Sequence, residues 1–406
     1  MYVFWYIFLG LGMFILTLPP RKERKRMSAS FIFRVSLAAL LFAFFMGARY
    51  DIGKDWLAMC RIYLDRMEGI ENYYLELHYA PFFYYLTTYL ADNQIHYFYY
   101  FFAIALIQIS MLFYSLKNYP RVISSVVLIF FLGCTWYAWS NIARQSVAHV
   151  FILAAICALS DKKILRCAFF MILAVFSHKS ALIMVPFLFL YDRKFKPMSV
   201  SRQTLLSCFM FIFTLFKINI IMHALQLGAA IPFFSKYARL LSSKELVAPS
   251  ELGLGFYISV LINFILIVFS DKIKKYYNSK FVNYLYMLFY IGVLLEYLFI
   301  ANPLISRMNV YFIGNRFILC GFAIYCFWKF RKCQTVAQNS ENAENTLLFS
   351  PFLAKVLLGT VASFSLLTFV GVVIKGKEIK VDYKFYWNED DGYELEDAKR
   401  ELAQNE

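Results

Sequence analysis

Charge is what this chain has little of: 17% of its 406 residues are Asp, Glu, Lys or Arg, against 61% that are hydrophobic. A water-soluble domain of this length needs far more polar surface, so that class is excluded. No two cysteines are spaced C-x-x-C. Cys134, Cys157, Cys208, Cys320 and Cys326 lie inside apolar runs, and Cys60 in a long outer loop. Buried free thiols are expected rather than a disulfide framework. No H-x-x-x-H spacing or carboxylate pattern argues for a bound metal, and no cofactor is expected. An internal repeat is absent too, which counts against transporter folds built from two related halves. No basic segment precedes the first apolar run, residues 3–18, whereas Arg21-Lys22-Glu23-Arg24-Lys25-Arg26 follows it. This order is the reverse of a secretory signal and predicts a retained span with its N-terminus outside.

What the chain does have is a succession of apolar runs near the length that crosses a ~30 Å hydrocarbon core at ~1.5 Å per helical residue. The predicted spans are 3–18, 31–48, 96–116, 122–139, 145–159, 204–222, 254–270, 281–300, 309–328 and 350–374. Segment 82–91 is too short to cross and reads as interfacial or re-entrant. Residues 167–190 are long enough, but Ser177-His178-Lys179-Ser180 breaks them in half. The expected fold is an all-α polytopic integral membrane protein with about 10–12 membrane helices, re-entrant half-helices included. Residues 1–375 read as one membrane domain with a polar link at 334–346, and 376–406 as a polar acidic tail. Neither polar stretch has the composition of a folded domain.

A net charge of +15 could point to nucleic acid. Here, however, the basic residues cluster between spans: 21–26, Lys117 with Arg121, Lys162 with Lys163 and Arg166, Arg193 with Lys194 and Lys196, 272–280, and 329–332. That is the positive-inside pattern, and nucleic acid is not an expected partner. All these clusters share one side only if 167–190 is a hairpin of two half-helices with His178 at its tip. Strict alternation then sends the tail outside, against the bias of Lys375, Lys377, Lys380 and Lys384.

The opposite, outer face collects the unusual polar residues: Arg49, Asp51 and Asp55; Glu76; Asn141, Arg144 and Gln145; Arg239; and Arg307. His178 approaches the same face from within the membrane. Arginine presents a planar fork of donors that matches phosphate oxygens and stays charged, so a lipid-linked pyrophosphate fits this face. Asp51, Asp55, Glu76 or His178 could then take the proton of an attacking sugar hydroxyl. Ordinary pairing among loop charges, Arg49 with Asp51 or Asp55, is the other reading of the same residues. Within the bilayer, Glu296 and Arg316 lie at similar depth on consecutive spans. A lone charge there costs ~3 kcal/mol or more, so a structural pair is expected, with a substrate role for Arg316 second. His149 is expected to be a packed core histidine.

Arg49-x-x-x-Gly53-x-Asp55-Trp56, Asn141-x-x-Arg144-Gln145, His178-x-Ser180-Ala181 and Ser306-Arg307 followed by Tyr311-Phe312 resemble, in order and spacing, the EpsG family of Wzy-like exopolysaccharide and capsule polymerases. The chain departs from that pattern near Pro81, where Glu76 is displaced upstream of the family's Glu-Pro-Gly. The resemblance implies the fold of lipid-linked membrane glycosyltransferases and a metal-free transfer of undecaprenyl-pyrophosphate-linked repeat units onto a growing chain. It also implies a bacterial inner-membrane location with the site facing outward. Membrane lipids, and the flippase and chain-length regulator of the same pathway, are the partners it implies. Arg49, Arg144, Arg307 and Arg239 would hold the pyrophosphate, with Asn141, Gln145, Arg316 and Glu296 in support. A flippase or exporter of lipid-linked oligosaccharide, and a membrane O-acyltransferase, are the competing functions.

Overall fold

In the computed structural model the described residues are 2–19, 27–70, 75, 79–193, 198–216, 253–299, 307–331 and 350–388. Their regular structure is helical apart from one isolated antiparallel bridge between Arg49 and Phe385. Among the described residues, six helices are long and apolar enough to cross a membrane, two bent helix pairs add up to two more, and four apolar helices are shorter. The chain is a polytopic helical membrane protein, as its composition requires.

Contacts divide the chain into two compact units, Met1–Leu182 with Leu366–Glu406, and Ile183–Ser365. The sequence reads instead as one continuous membrane domain. The division falls just beyond the helix break at His178, which apolar content alone does not mark as a boundary.

The first unit contains α1 (Tyr2–Leu16), α2 (Ala29–Gly47), α3 (Lys54–Met67), α4 (Pro81–Asp92), α5 (Tyr97–Ser115), α6 (Ile123–Leu132), α7 (Thr135–Asn141), α8 (Ala143–Ser160) and α9 (Ile164–Ser177). Several starts are chemically marked. Ser28 accepts from Phe31 N ahead of α2, His96 accepts from Phe98 N ahead of α5, and Pro81 occupies the first turn of α4. The α8 helix forms the centre of the unit, with every residue from Gln145 to Ala158 buried. Its Ser146 hydroxyl accepts from Gln108 Nε2 of α5 at 2.7 Å, and α9 packs along it. His149 is fully buried, as expected of a core histidine. The outward faces of α1 and α2 stay apolar: Phe4, Phe8, Phe33 and Leu40 are exposed, which suits hydrocarbon and not water.

Two features of this unit depart from the expected spans. The run 122–139 is not one straight crossing but α6 and α7, bent by 66° at Gly133-Cys134, where Cys134 has φ +52°. In addition, α3 is a polar helix of 14 residues that no apolar run announces. Segment 82–91 does form the short helix expected, α4, with 12 residues. The break in 167–190 is also present: α9 ends at Ser177, His178 is extended, and the chain resumes as a 3-10 turn, Lys179–Met184.

The second unit contains α10 (Val185–Leu188), α11 (Val200–Leu215), α12 (Leu254–Val268), α13 (Ser270–Tyr277), α14 (Lys280–Phe299), α15 (Val310–Ile313) and α16 (Arg316–Phe330). The last helix, α17 (Pro351–Lys375), begins there and ends in the first unit. The α12–α13 pair is bent by 57°. Tyr286 Oη of α14 donates to Gln203 Oε1, and Thr214 Oγ1 donates to Tyr297 O at 2.8 Å. Basic ends gather: Lys280 pairs with Asp192 at 2.9 Å, and Tyr276 packs on Phe330.

Candidate functional site on the loop between α2 and α3

The polarity of the first unit is visible in its ion pairs. At one end Lys117, following α5, bonds Asp161, following α8, at 2.7 Å. This contact holds Lys117 above and Asp161 below their ordinary pKa values, although burial opposes both shifts. At the other end of α5, ~28 Å away by helical rise, lie His96 and Tyr97, facing Tyr386. The loop that leaves α2 is at that second end.

Gly47 lets α2 end against α5, since a Cβ there would meet Phe102 Cβ and Phe98 O at 3.0 Å. Arg49 then turns inward. It is 4% exposed, its Nη1 donates to Ser140 Oγ at 2.8 Å, and its guanidinium carbon sits 5.2 Å from the centre of the Phe101 ring. Burial pushes its pKa down to about 10, against the raising influence of Tyr6, Tyr383 and Asp55, so it remains a cation at neutral pH. Its Nε is buried without a hydrogen-bond partner among the described residues, as are Trp56 Nε1 and Trp136 Nε1. The surroundings of the loop are therefore rich in N–H donors.

Asp51 and Gly53 follow with φ +43° and +88°. At Gly53 a side chain is excluded twice over: by the left-handed backbone, and by Asn141 Oδ1, 2.9 Å from where a Cβ would stand. Asp55 enters the first turn of α3, where a carboxylate is favoured by the helix dipole. The bend at Cys134 brings α7 under this loop, and α3 packs on α7. The structure thus joins two motifs separated by about ninety residues in sequence, Arg49 to Trp56 and Asn141 to Gln145. Arg144 is half-buried, with its guanidinium carbon 4.5 Å from the centre of the Tyr79 ring, while Gln145 is buried at the start of α8.

His178 lies in the same unit, at the end of α9. Its Nδ1 is 2.6 Å from Ser180 Oγ and accepts the Ser180 backbone N–H at 3.4 Å. Which of the two donates in the short contact depends on the ring tautomer, and Ser180 fixes the orientation of the imidazole in either case.

The remaining expected residues are distributed differently. Glu76 and Arg239 lie outside the described residues. Arg307 belongs to the second unit and is exposed. Glu296 and Arg316, also in that unit, do form the expected pair at 3.5 Å, with Asn263 linking them: Asn263 Nδ2 donates to Glu296 Oε2 at 3.1 Å, and Arg316 Nη1 reaches Asn263 Oδ1 at 3.4 Å.

Sequence reasoning did not anticipate Ser140, Asn263 or the segment after α17. A lone Asn inside an apolar run was a legible signal for Asn263. For the tail, the signal was the row of lysines that conflicted with its expected side. Residues 376–388 pack on the loop just described, so tail and loop share one end of the bundle. The sequence reads residues 376–406 as a polar acidic tail; of these, 376–388 pack on the loop and 389–406 lie outside the described residues. Trp5, Phe45, Tyr383 and Phe385 cluster there, which supplies the apolar contact that composition averaged over the whole tail conceals.

Among the described residues no group of three His, Cys, Asp or Glu could hold a metal. No curated protein and no solved structure matches the chain. The sequence pattern of one family does match, over residues 31–337, which is well over half of the chain and includes the loop, the α7–α8 corner, His178 and Arg307. The chain belongs to the EpsG family.

Proposed function

We propose that this protein polymerises oligosaccharide repeat units carried on undecaprenyl pyrophosphate, at the outer face of the bacterial inner membrane. Membership of the EpsG family fits a polysaccharide polymerase-type function at family level. The single observation that carries the finer reading is the junction of Arg49, Asp51, Asp55 and Asn141 at the end of the first unit away from Lys117 and Asp161. Carboxylates on a loop backed by a buried cation suit transfer from an anionic donor to a neutral hydroxyl.

In this reading the acceptor sugar hydroxyl attacks the anomeric carbon of the donor chain. A C–O bond forms there, the bond to the pyrophosphate oxygen breaks, and undecaprenyl pyrophosphate leaves with the bonding electrons. Asp55 takes the hydroxyl proton, with Asp51 beside it; Glu76 is a further candidate from sequence alone. The leaving group needs charge stabilisation more than a proton. Arg144, half-buried, supplies it by direct contact; Arg307 and Arg239 are further candidates on the sequence argument alone. Arg49 contributes differently from its expected contact role, because its buried charge raises the potential behind the loop. His178, oriented by Ser180, is the other candidate to orient or deprotonate the acceptor hydroxyl.

Reconstitution with a purified lipid-linked repeat unit tests the assignment. Arg144→Lys keeps the charge but loses the fork, so polymer formation should fall about 10- to 100-fold at unchanged protein abundance. Asp55→Asn should abolish polymer formation while leaving donor binding intact. A protein that polymerises at the normal rate with Arg144→Ala, or loses donor binding with Asp55→Asn, would overturn these roles.

A further inference from the structure

Some of the residues that hold the loop after α2 in place come from outside the matched region. The family match ends at 337, yet residues 376–388 return to the loop after α17 and bind it along its length. Tyr50 N donates to Lys384 O, Gly53 N to Lys380 O, and Tyr386 N to Ala48 O, each at 3.0 Å. Arg49 and Phe385 form the antiparallel bridge. Three hydroxyls reinforce the contact. Tyr6 Oη donates to Val381 O at 2.7 Å, Tyr137 Oη to Ile379 O at 2.5 Å, and Tyr383 Oη to Phe45 O at 2.7 Å. Lys380 Nζ meets Asp51 Oδ1 at 2.9 Å.

The two members of that ion pair share a further property: Asp51 has φ +43° and Lys380 φ +54°. A left-handed backbone is tolerable for Asp and unfavourable for Lys. Such conformations persist where the surroundings over-determine them, and they concentrate at functional sites. Here the over-determination is visible: the carbonyl of Lys380 is held by Gly53 N, and its ammonium by Asp51. The pair itself is about two-fifths exposed, with side chains at 41% and 35%. An ion pair so open to water adds little to stability. Its effect is to fix where the Asp51 carboxylate points.

We propose that residues 376–388 are a clamp that sets the geometry of the outer loop, and that Lys380 is the positioning residue for Asp51. The inference rests on the proposed function only in taking Asp51 and Asp55 as the working carboxylates; the clamp itself rests on the contacts above. It makes the C-terminal segment part of the site rather than a dispensable tail, although it lies beyond the matched part of the chain.

The test uses the full-length protein with Lys380→Met and Lys380→Arg, read in two ways. The first readout, amide hydrogen exchange at Tyr50 and Gly53, is independent of any activity. Protection of both amides in the wild type, at least tenfold faster exchange in Lys380→Met, and recovery in Lys380→Arg support the clamp. Unchanged exchange in Lys380→Met overturns it. The second readout is polymer formed per folded protein. It should drop on the order of tenfold in Lys380→Met through kcat with KM little changed, and recover in Lys380→Arg, while thermal stability stays near wild type. A parallel loss of stability that Lys380→Arg does not reverse would make Lys380 merely structural and overturn the positioning role. If the wild type shows the expected exchange but forms no polymer, the proposed function fails and the clamp stands.

Discussion

At the scale of single residues, the informative ones are charges in places that disfavour charge. Glu296 and Arg316 were legible as a pair because each interrupts an apolar run at a similar distance from the connecting loop. Asn263 completes them by satisfying both partners, and only the folded arrangement of α12, α14 and α16 reveals that role. Removing either charge leaves the other without its partner among apolar neighbours. Glu296→Ala and Arg316→Ala should each cost about 2 kcal/mol, and the double variant should recover much of that loss. Thermal unfolding of detergent-solubilised protein measures it, and additive losses would rule out a coupled pair. Arg49 illustrates the reverse situation. Its sequence context announced a charged site, but its burial beneath the loop depends on Ser140 and Phe101, about ninety and fifty residues away, which no local pattern predicts.

At the scale of elements, long apolar helices are legible and their interruptions only partly so. His178 and its flanking polar residues marked the end of α9, because polar groups in hydrocarbon demand a break. The bend between α6 and α7 gave no such mark: Gly133 and Cys134 are compatible with an uninterrupted span, and the 66° change follows from the left-handed Cys134. That bend places Ser140 and Asn141 beneath the loop, so it contributes to the site as much as any charged residue does. Gly53 depends on this placement. Gly53→Ala combines a left-handed backbone with a contact to Asn141 that must give way, and should cost about 1–3 kcal/mol. The same change should speed exchange of the Gly53-to-Lys380 amide hydrogen bond; a variant of wild-type stability and protection would show that the loop is not held as described.

At the scale of the whole molecule, ion pairs of both signs lie at the ends of the first unit's helices. In the first unit Lys117 and Asp161 mark one end, and the loop with residues 376–388 marks the other. In the second, Lys280, Asp192, Tyr276 and Phe330 gather at one end. The division into two units was not legible in the sequence, because hydropathy reports burial in lipid and not which helices touch. Single-cysteine labelling in a cysteine-free background should react at positions 54 and 380 from outside, and at 163 and 274 from inside. Reaction of 54 and 163 from the same side would contradict the membrane orientation.

The central claim, that the outer loop serves chain growth from a lipid-linked donor, has one most direct test: deletion of the gene followed by analysis of the cell's lipid-linked glycans. Loss of a polymerase should leave single repeat units accumulating on undecaprenyl pyrophosphate at the outer face, restored to polymer by the wild-type protein but not by Asp55→Asn. Repeat units trapped at the inner face, or full-length polymer persisting after deletion, would contradict the claim.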